Sequence, residues 1–292
     1  MRLDNERQSD NVEDMRGSSG GGGGGFGGRT IGIGGVVIAL VASYFLGVDP
    51  SVLLGMMSGG DSGPSSAQVS QGPAPKPPAT DPTAMRVSHV LTTTEDTWTE
   101  IFREAGKTYQ PPKLTLFTRA YPTACGMGQS AAGPFYCPRD HKVYIDLQFF
   151  QMMRDRFHTS EDFAQAYVIA HEVGHHVQTL LGITEQMESR NARGSRADAN
   201  ANSVRLELQA DCFAGVWANR TEKRKHFLDP GDVENALAAA AAIGDDTIQR
   251  QTQGQVVPDS FTHGTSAQRT RWLKRGLESG DVQQCDTFRS QI

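Results

Sequence analysis

The chain lacks an excess of positive charge. Its 292 residues include 28 lysines and arginines against 33 aspartates and glutamates, which gives a formal net charge of −5. Proteins that neutralise nucleic-acid phosphates carry basic surfaces, so this balance argues against nucleic-acid binding. The basic run between Arg220 and His226 is short and mixed in sign, as at a solvated helix end. We therefore expect no nucleic-acid partner.

Cysteine is scarce, and no two cysteines have C-x-x-C spacing. This spacing argues against a zinc ribbon, and an even number of cysteines leaves two disulfides or four free thiols. Disulfides persist in oxidising compartments, so the choice depends on location. The four residues are Cys125, Cys137, Cys212 and Cys285.

Residues 30–48, TIGIGGVVIALVASYFLGV, contain no charged side chain. A helix of this length crosses roughly 30 Å of hydrocarbon, so we predict a single transmembrane anchor. A cleaved signal peptide or a buried soluble helix is the alternative. The basic residues before the run are Arg2, Arg7, Arg16 and Arg29, and the first one after it is Lys76. The positive-inside rule then places the N-terminus in the cytoplasm and the bulk of the chain outside the cytoplasmic membrane.

Composition divides the chain into four segments. Residues 1–29 are polar and rich in glycine, and we expect them to be disordered and cytoplasmic. The anchor at 30–48 is followed by a proline-, glycine- and serine-rich linker at 49–84. Residues 85–292 are long enough to form one globular domain.

The globular segment combines short strands with long helices. A first helix is predicted with Thr93 as its N-cap and Gly106 at its end. Apolar and polar residues alternate in the segments that begin at Lys113 and Lys142, which predicts two strands. Four longer helical patterns follow, which predicts an α+β fold that is mainly helical with a small sheet.

The first of these long helices carries HEVGH. His171 and His175 lie one turn apart on one helix face, the arrangement that a tetrahedral Zn²⁺ site requires. Glu172 lies beside them, where a carboxylate can take a proton from a metal-activated water. His176 lies about 100° around the helix, so we expect a satisfied histidine outside the metal site.

A third protein ligand is needed. Metzincins place a histidine six residues after the second ligand, and Leu181 at that position excludes this class. LELQAD in the next helix offers Glu207 as the third ligand, with Asp211 one turn later to orient a ligating histidine. A solvated acidic face is the alternative, but the apolar neighbours of these acids argue for partners.

At these motifs the chain resembles the bacterial membrane-protein family called "putative neutral zinc metallopeptidases", of the gluzincin type. The segments that carry the resemblance are CGMGQSAAGPFYCPRDHKVYIDLQFF, AHEVGHHVQTLLG, LELQADCFAGVWA and FTHGTSAQRTRWLKRG. The resemblance implies a zincin-like domain with one Zn²⁺ per chain, and the charge asymmetry around the anchor places this domain outside the bacterial inner (cytoplasmic) membrane. The resemblance also implies that VYIDL is an edge strand that binds substrate, and that His263, supported by Arg269, stabilises the tetrahedral intermediate. A surface-loop histidine is the alternative for His263.

The resemblance also bears on the cysteines. Cys125 and Cys137 bracket a glycine-rich segment and are expected to form one disulfide, and Cys212 and Cys285 a second. Sequence does not fix this connectivity, and a buried free Cys212 is the alternative.

The predicted function is a membrane-anchored zinc metallopeptidase that hydrolyses peptides or proteins with Glu172 as the general base. A non-catalytic, zinc-containing envelope scaffold or protein-binding module is the alternative, and four protein ligands would distinguish it. A metal hydrolase that acts on a non-peptide bond would share all of these residues.

Overall fold

A computed structural model describes residues 1–17, 74–130, 133–151 and 161–292 of the chain. Short strands precede a set of longer helices, so the predicted α+β class is confirmed. The strands are β1 (Val12–Asp14), β2 (Lys113–Phe117), β3 (Ala120–Thr123), β4 (Gly126–Gln129), β5 (Phe135–Cys137) and β6 (Lys142–Asp146). The helices are α1 (Pro82–Glu104), α2 (Glu161–Leu180), α3 (Ile183–Asn191), α4 (Arg196–Lys225), α5 (Asp232–Ala242), α6 (Asp245–Gln253) and α7 (Ser266–Ser279).

The main sheet has the strand order β1-β2-β6-β5. The β1–β2 and β2–β6 pairs are parallel, and β5 runs antiparallel to β6. VYIDL falls mostly in β6, which has a neighbour on each side, so its prediction as an edge strand was wrong. Alternation marks a segment as a strand but does not give its position in the sheet. Among the described residues, the two edge strands of this sheet are β1 and β5.

Two disulfides fasten the fold. Cys125, in the turn between β3 and β4, is bonded to Cys137 at the end of β5. Cys212 in α4 is bonded to Cys285 near the C-terminus. Both predicted pairings are therefore present, and Cys212 is not a free thiol.

The N-terminal residues 1–17 are folded, which corrects the expectation of disorder for this part of residues 1–29; residues 18–29 lie outside the described residues. Leu3 and Val12 are buried in the same core as the helices. β1 pairs with β2 in a register that sets Val12 opposite Leu114. The polar composition of residues 1–17 predicted disorder, because composition does not reveal that a partner strand is available for pairing.

Helix α1 begins earlier than predicted. Asp81 is its N-cap and accepts hydrogen bonds from the backbone N–H groups of Thr83 and Ala84, while Pro82 occupies the first turn. Thr93, the predicted cap, is buried within the helix. The folded body therefore begins before residue 85, the predicted boundary.

The predicted anchor at 30–48 lies outside the described residues, as does most of the predicted linker. Among the residues that the structure describes, no helix is both long enough and apolar enough to cross a membrane. The anchor remains a prediction.

Glycine allows α2 and α4 to approach closely at the centre of the helical layer. A Cβ atom on Gly174 would lie 3.1 Å from the backbone of Ala210, so a larger side chain would push the helices apart. Gly174 lies between the two histidines of HEVGH, and Ala210 lies between the two acids of LELQAD. The close approach therefore brings the two motifs face to face.

Candidate metal centre

Three metal-binding side chains converge between α2 and α4. Nε2 of His171 lies 3.1 Å from Oε2 of Glu207 and 3.2 Å from Nε2 of His175. Nε2 of His175 lies 3.5 Å from Oε1 of Glu207. Ligand atoms about 2.0–2.2 Å from a tetrahedral zinc ion are about 3.3–3.6 Å apart, so the spacing and the donor types fit Zn²⁺. Within the described ranges, these three residues form the one such group of histidine, cysteine or acidic side chains.

Asp211 orients His171 from the buried side of the site. Its Oδ1 lies 2.8 Å from Nδ1 of His171, which leaves Nε2 of the ring directed at the other two ligand atoms. Tyr167 donates a 2.6 Å hydrogen bond to the same carboxylate, and Arg269 donates two at 2.9 Å. Burial alone would raise the pKa of Asp211, but the charges of Arg269 and His171 outweigh it and lower this pKa. Asp211 is thus held as the carboxylate.

Arg269 was expected to support His263, but the structure places it against Asp211. Its guanidinium also donates to the hydroxyl of Tyr167 and to the carbonyl of Ile243. The side chain is almost fully buried. Arg269 therefore neutralises the acid that orients His171.

Replacing Arg269 with methionine should strongly destabilise the fold. Removal of one partner from a buried ion pair costs about 3–5 kcal/mol, which lowers the melting temperature by on the order of 10 °C for a chain of this size. Thermal unfolding followed by circular dichroism measures the change. Arg271→Met, on the exposed face of the same helix, is the control. Equal melting temperatures for the two variants would show that the Asp211 pair contributes no stability.

Gln178 orients the second histidine, and sequence reasoning missed it. Its Oε1 accepts a hydrogen bond from Nδ1 of His175 at 2.9 Å, and its amide donates to the carbonyl of Leu206 at 2.7 Å. This contact fixes the tautomer of His175, with Nε2 free to bind metal. The spacing of three residues on one helix was the available signal.

Glu172 lines the same cavity as the three ligand residues. Only 8 % of the residue is exposed, and this burial raises the pKa of its carboxyl above the ordinary range. A carboxylate with a raised pKa is a stronger base, which suits a residue that exchanges protons with water and a leaving group.

His263 also lines this cavity, and Asp245 holds its ring. Nδ1 of His263 lies 3.2 Å from Oδ1 of Asp245. The other oxygen of Asp245 accepts the backbone N–H groups of residues 262, 263 and 264 at 2.6–3.0 Å. Burial lowers the pKa of His263, but the charges of Glu207 and Asp245 outweigh it and raise this pKa. Sequence reasoning missed Asp245, since no periodic pattern links two positions 18 residues apart.

His176 lies outside the metal site, as its angular position predicted. Its Nε2 donates to the carbonyl of Gln110 at 2.7 Å, and its Nδ1 lies 3.0 Å from the hydroxyl of Tyr136 in β5. Burial lowers the pKa of His176 to about 4, so the ring is neutral at pH 7. This histidine fastens the edge strand to the helix that carries the metal ligands.

The cavity at the site has a volume of about 340 Å³. His171, His175 and Glu207 all line it. Aliphatic and aromatic side chains supply much of the remaining wall. These are Phe135, Phe149, Val168, Leu206, Ile243 and Ile248.

The fold and the site together define a candidate two-histidine, one-glutamate metal centre in an α+β domain. Residues 1–288 match the family model described as "Putative neutral zinc metallopeptidase", and the chain belongs to this family. The predicted family is therefore confirmed.

Relatives in two groups of bacteria are similar to the chain. It is 52% identical over 297 aligned positions to "Uncharacterized protein YpfJ" of Escherichia coli (strain K12), with full coverage of both proteins. It is 46% identical over 190 positions to "Uncharacterized protein Rv2575" of Mycobacterium tuberculosis (strain ATCC 25618 / H37Rv), which covers 62% of this chain and 63% of the relative. No solved structure matches the chain, so the zincin-like fold remains an expectation.

Proposed function

We propose that this protein is a zinc-dependent peptidase that uses Glu172 as its general base. The observation that carries the proposal is the triangle of His171, His175 and Glu207 donor atoms in a cavity that Glu172 also lines. These three residues would hold Zn²⁺, and the bound ion would supply a Lewis acid that acidifies water and polarises a carbonyl group.

The residues around the triangle have complementary roles in this proposal. Glu172 accepts a proton from the attacking water and then transfers it to the leaving amine. His263, protonated and held at Nδ1 by Asp245, donates a hydrogen bond from Nε2 to the oxyanion that develops on the carbonyl. Asp211 and Gln178 fix the two histidine rings, so the catalytic geometry exists before substrate binds.

The number of protein ligands favours a catalytic zinc site over a structural zinc site. Structural zinc sites close with four protein ligands, whereas catalytic sites keep one position open. The described residues supply three. A non-catalytic site would also have no use for a buried base such as Glu172.

A peptide substrate fits the surroundings of the triangle. β5 is a sheet edge, and its residues Phe135 and Tyr136 line the cavity. An extended peptide can add to such an edge through backbone hydrogen bonds, with side chains entering flanking pockets. The role first expected for VYIDL is thus proposed for β5, and the apolar wall favours an aliphatic or aromatic substrate side chain.

We further propose that the folded body lies outside the cytoplasm. Its two disulfides, Cys125–Cys137 and Cys212–Cys285, support an oxidising compartment.

Metal analysis combined with peptide-library cleavage tests this function on the purified full-length chain. We expect one zinc ion per chain, cleavage beside apolar residues, loss of cleavage on chelation and recovery when zinc is restored. Glu207→Ala should lower zinc affinity and cleavage together, while Glu185→Ala on the exposed surface serves as the control. Stoichiometric zinc bound without hydrolysis of any peptide would favour the scaffold or a non-peptide hydrolase.

A further inference from the structure

Residues 1–17 are built into the folded body by backbone pairing. The N–H of Leu114 donates to the carbonyl of Asn11 at 2.8 Å, and the N–H of Met15 donates to the carbonyl of Leu116 at 2.8 Å. Val12, between these two contacts, is 2% exposed. Without this segment β2 would become an unpaired edge, so β1 is a constituent strand of the sheet.

A buried acid in α1 recognises the polar side chains of the same segment. Glu95, only 5% exposed, accepts hydrogen bonds from Ser9, from Asn11 at 2.8 Å and from Arg7 at 3.0 Å. The hydroxyl of Ser88, about two turns earlier on the same face of the helix, accepts the backbone N–H of Ser9 at 2.9 Å. A buried carboxylate needs partners, and here the N-terminal segment supplies them.

Three of the arginines that favoured a cytoplasmic N-terminus have partners in the body. Arg2 lies 3.1 Å from Asp229, and Arg16 lies 2.6 Å from Asp81. Arg7 pairs with Glu95 as described. These charges therefore have a structural explanation that is independent of membrane orientation.

Described residues on the two sides of segment 18–73 are in direct contact. The N–H of Asp14 donates to the carbonyl of Pro75 at 2.7 Å, and Arg16 reaches Asp81. The predicted membrane anchor lies within this segment. If residues 30–48 crossed a bilayer once, roughly 30 Å of hydrocarbon would separate groups that are in hydrogen-bond contact.

We infer that residues 1–17 and 74–292 are one folded unit and lie on the same side of the membrane. This arrangement is incompatible with a single membrane crossing by residues 30–48 that leaves the N-terminus in the cytoplasm. With the disulfides formed, the shared compartment is the oxidising one. This inference does not depend on the proposed peptidase activity.

Cross-linking in intact membranes tests the arrangement on the full-length chain. Asp10 and Lys76 form an ion pair, and their side chains are 84% and 61% exposed, so Asp10→Cys/Lys76→Cys places two accessible thiols together. The four native cysteines are all disulfide-bonded and do not react with maleimides. A short bismaleimide, added before any detergent, should join the two positions within one chain. The two single variants are the controls for labelling.

Each result of this experiment decides the question. A monomer cross-linked by the bismaleimide, or by a direct disulfide between the two introduced cysteines, supports the inference. Labelling of both single variants with no intrachain product would overturn it, as would labelling of the two positions from opposite sides of the membrane. A cross-linked dimer would overturn pairing within one chain.

A second variant tests the recognition by Glu95. Trypsin cleaves backbone that is free to adopt an extended form in its active site, so we expect cleavage after Arg7 and Arg16 to follow the detached population. Loss of a buried carboxylate with three partners should speed this cleavage at least about tenfold in Glu95→Ala. Asp96→Ala, next to it and with solvent-accessible pairs to Arg7 and Lys225, should change the rate less than about twofold. Equal rates in the two variants would overturn the role of Glu95.

Discussion

Replacing Glu172 with glutamine is expected to lower kcat for peptide hydrolysis by about 10²–10⁴-fold while zinc stays bound at one ion per chain. The amide cannot accept the proton of the attacking water. It leaves His171, His175 and Glu207 untouched, and these residues hold the donor atoms of the site. Parallel measurement of zinc content and cleavage rate separates loss of the base from loss of the metal.

The pH profile provides a further check on Glu172. Its pKa is raised by burial, and only the deprotonated form can act as the base, so activity should rise as pH increases through that raised value. Glu188→Gln, an exposed acid in α3, should retain wild-type rate and zinc content. Undiminished cleavage by Glu172→Gln would remove this residue from the mechanism.

The sequence could predict the parts of the site that depend on spacing within one helix. His171 and His175, and Glu207 and Asp211, are each four residues apart, and helix geometry alone places each pair on one face. Gln178 was within reach of the same rule, since it lies three residues after His175. The contact between helices α2 and α4 was inferred from chemistry, because two histidines alone do not complete the coordination of a tetrahedral metal ion.

Contacts between distant segments could not be predicted in this way. Asp245 binds the ring and backbone around His263 through a loop, where no period relates the two. β1 has three residues and pairs in parallel with a strand about 100 positions later, and only Val12 in it carries a hydrophobic signal. The start of α1 could have been predicted, because Asp81 followed by Pro82 is a typical helix start. The proline-rich composition just before it favoured a linker instead.

Replacing Asp245 with asparagine is expected to lower kcat/KM at neutral pH by about 10–100-fold and to change the shape of the pH profile. In the wild type, Nδ1–H of His263 donates to Asp245, so Nε2 carries a proton only when the ring is protonated. Activity should therefore fall as pH rises through the pKa of His263, which Glu207 and Asp245 raise against the opposing effect of burial.

Backbone N–H groups determine the orientation of the asparagine side chain in Asp245→Asn. Three N–H groups, from residues 262, 263 and 264, need an oxygen at the position of Oδ2 of Asp245, so the amide nitrogen faces His263. Nδ1 then becomes an acceptor, and the neutral ring carries its proton on Nε2 at every pH above the lowered pKa. The oxyanion donor is now uncharged, and such a bond is roughly half as strong.

The alkaline limb that His263 causes should consequently disappear in Asp245→Asn, although the rate is lower throughout. His263→Ala should lose the same limb and more of the rate, about 10²–10³-fold, because no donor remains. Asp246→Asn is the matched control, since Asp246 lies in the same first turn but bonds Ser266 instead. A variant at Asp245 that kept the wild-type alkaline limb would show that Asp245 holds the loop without setting the proton on His263.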